Sequence, residues 1–269
     1  MRISTMTLGA LLLAASATPA FAQDAPTAPP PPITVNATAA IVSDYRFRGI
    51  SQTDKQFAFQ GSITVTHASG FYVSAWGSSV TDYVVAGGNA RQEIDLIAGY
   101  SKTINGIKLD GGVLYYFYPR DKTPGVHSDF FEPYIDVSTT LGPVTAKATV
   151  NYAPKQKALA LDQTGVGSSF NSRSRDNVYL AGDFTGAIPK TPLSLTAHLG
   201  HTFGTSWLAS SFGKGKEQDG YTDWSLGVTA TYKVLTLGVS YVDTDAKFNN
   251  LVGAVESKSG VVASLTASF

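Results

Sequence analysis

Apolar and polar residues alternate along most of the chain from Ala39 onward, with the period of two that is typical of strands. In the segment WSLGVTATYK (224–233), the aromatic and aliphatic residues lie on one face and the Ser, Thr, Gly and Lys residues on the other. We count twelve such segments: 38–50, 56–67, 70–79, 91–103, 107–118, 130–141, 143–153, 176–186, 192–203, 221–233, 235–243 and 258–269. Most have the ten or so residues that a tilted strand needs to cross a bilayer.

The connections between these segments alternate in length. Those after the even-numbered segments are short, and those after the odd-numbered segments are mostly long and polar. A soluble β-sandwich has no reason to alternate in this way, whereas a membrane barrel has tight turns on the periplasmic side and longer loops outside. The pattern therefore predicts an all-β protein, a single antiparallel transmembrane β-barrel of twelve strands.

Aromatic residues on the apolar face support this interpretation, because they gather at the strand ends rather than in the middle. Such belts are typical of a lipid-facing wall, whereas a secreted soluble β-protein, the alternative, places its largest side chains centrally. The long-loop end has Tyr45, Phe47, Phe57, Phe59, Tyr115, Phe117, Phe131, Tyr152, Phe203, Trp224 and Tyr241. The short-turn end has Phe71, Tyr100, Phe184, Tyr232 and Phe269.

The N-terminus has the pattern of an export signal. Arg2 precedes a short apolar stretch, and Ala20-Phe21-Ala22 forms an A-x-A cleavage site. We expect a signal peptide over 1–22 with cleavage after Ala22, a Pro-rich periplasmic linker over 23–36, and the barrel over 37–269. A barrel exported in this way is expected in the outer membrane of a Gram-negative cell.

Composition excludes several classes of protein. The chain has no Cys, 20 Lys and Arg against 20 Asp and Glu, and only 15% charged residues. Absent cysteines exclude disulfide scaffolds and thiolate chemistry, and a neutral chain has no electrostatic footprint for nucleic acid. No G-x-S-x-G elbow, H-E-x-x-H motif or complete phosphate loop occurs. We therefore expect no enzyme activity, cofactor or metal.

Nearly all strand charges fall on the polar face, which is expected because a charge at the lipid midplane costs about 2–4 kcal/mol. These lumen-lining candidates are Asp44, Arg46, Arg48, Glu93, Asp95, Lys108, Asp110, Glu132, Asp136, Lys147, Asp183 and Lys233. Two interpretations stay open: the groups pair with each other and fill the lumen, or some of them line a water-filled path. Acids outnumber bases only slightly, so the set predicts no ion preference.

Lumen size decides between these interpretations. Eight strands leave a filled interior and sixteen to eighteen an aqueous channel, so twelve lies between. Small inward residues keep such a lumen open, while inward aromatic residues narrow it: Tyr72, Trp76, Tyr116, Tyr118, Tyr134 and Tyr179. The connection 154–175 is either a surface loop or a loop that folds over the mouth and sets selectivity.

Several segments resemble a known family. SDYRFRGISQTD (43–54), SGFYVSAWGSSV (69–80), EIDLIAGYS (93–101) and DGGVLYYFYP (110–119) are similar to the TorF family of proteobacterial outer-membrane proteins. The resemblance is specific over 43–119 and only barrel-like beyond. It implies an outer-membrane location and a porin role, without a defined solute or catalytic residues. In the predicted first strand, Arg46 and Arg48 of this motif point inward, and Gly49 turns the chain at the rim.

We expect passive diffusion of small polar solutes or ions through the lumen. A structural or surface-interaction barrel with a plugged lumen is the alternative, and an enzyme ranks third. Expected partners are outer-membrane lipids and the barrel assembly machinery, which is thought to recognise a terminal strand ending in an aromatic residue such as Phe269. The pattern does not predict an oligomeric state.

Overall fold

Twelve antiparallel strands form one closed barrel in the computed structural model of the protein, as predicted. The structure describes residues 31–84, 89–119, 124–160, 163, 174–204, 206, 208, 212–213, 216–217, 220–246 and 256–269. The strands are β1 Ile33–Val42, β2 Ala58–His67, β3 Phe71–Ser79, β4 Gln92–Ile104, β5 Ile107–Phe117, β6 Phe130–Leu141, β7 Val144–Gln156, β8 Arg175–Ala187, β9 Leu193–Phe203, β10 Gly220–Tyr232, β11 Leu235–Thr244 and β12 Gly260–Ser268. Each strand pairs with its neighbours in sequence, and β12 closes on β1.

The alternation of short and long connections is also confirmed. Short turns at one end of the barrel span 68–70, 105–106, 142–143, 188–192 and 233–234. At Asn105 and Gly106, φ is 49° and 81°, the double positive φ that a two-residue hairpin turn with matching twist requires. The opposite end has the long connections 43–57, 80–91, 118–129, 157–174, 204–219 and 245–259.

The first strand differs from the prediction at both ends. It begins at Ile33, so residues 33–36 of the expected linker belong to β1, and it ends at Val42 instead of residue 50. Residues 43–57 connect β1 to β2, and the mostly buried residues 44–53 of this connection turn into the barrel; we call residues 44–53 the lumen hairpin. Within it Arg46–Phe47 pairs with Ile50–Ser51 in a small separate ladder. A period of two identifies a strand but does not tell the wall of a barrel from a ladder inside it.

Large apolar side chains cover the outside of the barrel. Mid-strand positions are aliphatic, such as Leu226, which is 64% exposed, and aromatic residues such as Phe57 and Tyr232 lie near the strand ends, 71% and 72% exposed. The two belts are therefore present, except that Tyr45 is buried in the lumen and Phe47 half-buried there. These two residues were placed in the belt only because β1 was extended too far.

The remaining elements lie in the long connections. They are the short 3-10 helices Asp82–Val84 and Lys157–Leu159, and a two-residue ladder between Phe212–Gly213 and Lys216–Glu217. No helix within the described ranges is long and apolar enough to cross a membrane. The predicted connection 154–175 begins within β7, which extends to Gln156. Positions 161–162 and 164–173 lie outside the described residues, so the two interpretations of this connection as a surface loop or a loop over the mouth stay predictions.

Candidate functional site

The lumen hairpin is fixed to the barrel wall by a buried ion pair at its tip. Arg48 donates through Nη2 to both carboxylate oxygens of Glu132 on β6, at 2.8 and 2.9 Å, and through Nη1 to Oδ1 of Asn177 on β8, at 2.8 Å. Both side chains of the ion pair are fully buried. Arg48 and Gly49 have φ values of 47° and 80°, which form the tight turn that places the guanidinium inside the lumen.

A second set of contacts holds the base of the hairpin. Nε of Arg46 lies 2.5 Å from Oδ2 of Asp44, whose other oxygen accepts hydrogen bonds from the hydroxyls of Ser51 and Thr53. The Nη1 atom of Arg46 also donates to the backbone carbonyls of Gly49, Glu256 and Lys258. The hairpin is therefore bound along its whole length, so we describe it as part of the lumen wall.

Aromatic side chains fill the side of the lumen formed by β3–β6, which we call the aromatic half. The hydroxyls of Tyr45 and Tyr118 donate to Glu93 at 2.9 and 3.1 Å, and the ring of Tyr45 meets Trp76 edge-on with centroids 5.5 Å apart. Burial and the neighbouring Glu93 carboxylate raise the pKa of Tyr45, so its hydroxyl stays a hydrogen-bond donor. Tyr72 and Tyr134 add a further contact between their hydroxyls.

Acidic residues are concentrated on the wall of this aromatic half. Glu93, Asp110 and Glu132 accept hydrogen bonds from packed tyrosines. Lys108, near the short turns, lies 3.1 Å from Asp110. Oδ1 of Asp95 and Oδ1 of Asp136 are buried and have no hydrogen-bond partner in the described part of the chain. The acids of this wall are Glu93, Asp95, Asp110, Glu132 and Asp136.

The opposite side of the lumen, formed by β7–β12, β1 and β2, contains a cavity of about 120 Å³, and we call it the open half. A continuous series of polar contacts crosses its charged wall. Lys147 lies 3.0 Å from Asp183, Asp183 lies 2.6 Å from Nδ1 of His198, and Nε2 of His198 lies 3.0 Å from Asp223. The hydroxyl of Tyr179 donates to Asp223 at 3.1 Å, and the Tyr179 ring lies 4.2 Å from the Arg48 guanidinium.

The facing wall of the cavity has hydroxyl groups and no charge. Small side chains there leave the cavity open, and Oγ of Ser240 has no hydrogen-bond partner among the described residues. This uncharged wall comprises Gln60, Ser225, Thr229, Thr236, Ser240, Ser264 and Thr266. A cavity with hydrogen-bond donors and acceptors in its lining is suited to small polar solutes.

Most predicted lumen residues do face the interior, but two differences matter. Asp44, Arg46 and Arg48 reach the lumen from the hairpin and not from the first strand. Lys233 does not line the lumen: it lies exposed in the turn 233–234, with Nζ 5.4 Å from the ring of Tyr232. The alternation was extended past the end of β10 into the turn, where it no longer holds.

The prediction missed two participants. Neither His198 nor Asp223 is among the predicted lumen-lining residues, although both have the same inward parity as those residues and both line the cavity. Their pairing across β9 and β10 depends on strand register, which composition does not reveal. Within the described ranges, no group of three or more His, Asp or Glu side chains has the arrangement of a metal site.

Nearly the whole chain matches the sequence model of a bacterial protein family. The sequence model of a family described as "Bacterial protein of unknown function (Gcw_chp)" matches residues 26–269, and the chain belongs to this family. The structure is similar to that of the NanC porin, with 12% identity, a TM-score of 0.54, and coverage of 88% of this chain and 99% of that chain. At this identity, the similarity establishes the fold alone.

Other solved porins have a more distant likeness. A protein described as a porin has 12% identity and a TM-score of 0.41, covering 88% of this chain and 99% of its own. The anion-selective porin from Comamonas acidovorans has 9% identity, the same TM-score and the same coverage. A comparison with curated proteins finds no match.

Proposed function

We propose that this protein is an outer-membrane channel through which small polar solutes or ions diffuse passively. One observation carries the proposal: a closed twelve-stranded barrel has an aliphatic outer wall between two aromatic belts, and a polar cavity inside. An apolar outer surface of this extent suits the hydrocarbon of a bilayer, where closure satisfies every backbone group. The segregated charges inside then face water and not lipid.

Single-channel recording tests this proposal. Purified, refolded protein in a planar bilayer is expected to give discrete conductance steps above background. Refolding is checked separately, because a folded barrel and a boiled sample migrate differently on a denaturing gel. Correctly folded protein that gives no conductance would refute the channel function.

A second candidate is a structural or surface-interaction barrel whose lumen is closed. The lumen hairpin favours it, because the fully buried Arg48–Glu132 pair and the packed tyrosines obstruct much of the cross-section. This candidate predicts a folded, membrane-inserted barrel that conducts no ions, so the same recording distinguishes the two. The cavity of the open half is the reason that we prefer the channel.

Three further proposals concern family membership, export and assembly. The sequence segments quoted above support membership of the TorF family, and the resemblance to that family implies an outer-membrane porin. Cleavage after Ala22 predicts that the mature protein begins at Gln23, which the intact mass of protein from outer membranes would test. We also propose that the barrel assembly machinery recognises the last strand, where the backbone of Phe269 pairs with that of Ala37.

A further inference from the structure

The ionisable groups of the lumen are unequally divided between its two halves. The acids Glu93, Asp95, Asp110, Glu132 and Asp136 all belong to β4–β6, the wall that aromatic side chains cover. The cavity of the open half is lined instead by Arg46, Arg48, Lys147 and His198, together with Asp183 and Asp223. A count over the whole lumen therefore does not describe what a solute in the cavity meets.

The carboxylates that pair with the two arginines lie behind them. Neither Asp44 nor Glu132 lines the cavity, whereas Arg46 and Arg48 both do, although all four residues are at most 5% exposed. Both guanidinium groups are themselves enclosed, so they act on a solute in the cavity through their charge at short range and not through direct hydrogen bonds.

The two acids that do line the cavity are already engaged. Asp183 lies between Lys147 and His198, at 3.0 and 2.6 Å, and Asp223 accepts from Tyr179 and contacts His198. They have little capacity left to attract a cation, so the positive charges of the lining determine the potential that a solute meets in the cavity.

We infer that solutes cross the barrel through the open half alone, and that this path prefers small anions such as carboxylates or phosphates. The inference rests on the proposed channel function and specifies its path and its class of solute. The uncharged wall, most of which β10–β12 supply, offers hydrogen bonds to the solute on one side. On the other side, the positive charges of the hairpin arginines attract the negative charge of the solute. The aromatic half separates most of the lumen acids from this path.

Cysteine labelling tests the path, because the natural chain has no Cys to interfere. Ser240→Cys introduces a thiol into the cavity, and Ser74→Cys, on the inner face of β3, is its matched control. The two serines are almost equally buried, 7% and 8% exposed, but only Ser240 lines the cavity. Thiol reagents of the methanethiosulfonate class form a disulfide with an accessible thiolate and release a sulfinate.

The expected result is that reagent decreases the current of the Ser240→Cys channel and modifies Ser74→Cys much more slowly, with unmodified protein unaffected. Each rate is divided by the rate of the same reagent with a free thiol in solution, because a thiolate attracts a cationic reagent wherever it lies. By this ratio, an anionic sulfonatoethyl reagent is expected to be favoured over a cationic trimethylammonioethyl reagent. Equal labelling at both positions would refute the single path, and an equal or higher ratio for the cationic reagent would refute the anion preference. Labelling is also read by mass, so it remains measurable if the barrel gives no current and the channel function itself fails.

The reversal potential in a KCl gradient gives a second, independent test. The double variant Arg48→Gln with Glu132→Gln removes one positive and one negative charge, so the net charge of the lumen does not change. Because Arg48 borders the cavity and Glu132 lies farther from it, we expect the anion-to-cation permeability ratio to fall roughly threefold or more. An unchanged ratio in a folded, conducting variant would show that the charges facing the cavity do not set selectivity.

Discussion

Breaking the buried ion pair at the tip of the lumen hairpin is expected to be the most damaging single change to the described lumen. Arg48→Gln leaves Glu132 charged and fully buried, and among the described residues only Tyr116, at 3.2 Å, and Asn151, at 3.0 Å, still donate hydrogen bonds to it. Removing one partner of a buried ion pair typically costs about 3–5 kcal/mol. The lost contact between the Arg48 guanidinium and the ring of Tyr179 adds to this cost.

The double variant is the matched control for this prediction. Glu132→Gln in the Arg48→Gln background removes the uncompensated charge, so most of the lost stability is expected to return. The free energies of unfolding of the wild type, both single variants and the double variant give the coupling between the two residues, measured by denaturant titration in detergent or lipid. A coupling below about 1 kcal/mol would refute the reasoning, because a pair with two short hydrogen bonds and no solvent contact should exceed that value.

The hairpin also has an alternative to global unfolding. Arg48→Gln can relieve the buried charge of Glu132 by releasing the hairpin from the lumen. The measured loss in the free energy of unfolding therefore cannot exceed the free energy that this release costs. Tyr45, which is 2% exposed in the intact lumen, would then become accessible to chymotrypsin. If Arg48→Gln neither lost stability nor became cleavable at Tyr45, the ion pair would not be what holds the hairpin inside the lumen.

Three further changes test other parts of the structure. Gly49→Ala is expected to destabilise the hairpin by more than the roughly 1 kcal/mol that a side chain costs at a positive φ alone, because the added Cβ would lie 2.9 Å from Cβ of Asp223. Gly106→Ala, at φ 81° in open space, is the control, and equal losses of stability in denaturant titration would contradict this reasoning. Leu226→Lys, at the middle of the outer wall, should cost about 2–4 kcal/mol of stability in lipid, and a neutral effect would argue against a lipid-facing wall. Deleting Phe269 should prevent insertion into the outer membrane, whereas Tyr232→Ala, at an equally exposed position in the aromatic belt, should only lower stability. Equal amounts of the two variants in isolated outer membranes would exclude an assembly signal at Phe269.

The barrel could be predicted from the sequence because its two solvents impose one simple rule on every strand. Lipid requires apolar residues outside and the lumen tolerates polar residues inside, so alternation appears in β10 and β12 alike. The rule fails where a segment has the same alternation for another reason. Residues 43–51 alternate because a small ladder packs aromatic and charged side chains inside the lumen, and nothing in their period separates this from a wall strand.

The site was predictable as a set of inward residues but not as an arrangement. Parity placed Lys147 and Asp183 on the inner face, and β7 and β8 bring them into contact in register. Their relation to the cavity depends on which strands the hairpin and the tyrosines cover, and that is decided by contacts between residues distant in sequence, such as Arg48 with Glu132. Composition and spacing contain no information on such contacts.

The contents of the lumen, more than the strand count, determine how wide a path this barrel can offer. Twelve strands enclose more space than wall side chains alone need to fill. In this chain the hairpin occupies part of that space, with Arg48 contacting β6 and β8 and Gly49 close to β10 and β11, while the tyrosines pack against the opposite wall. On the other side, the described residues enclose a cavity of about 120 Å³ that the hairpin borders. The same segment therefore narrows the lumen and adds the positive charges of Arg46 and Arg48 to the lining of this cavity, so its contacts couple the size of the path to its charge.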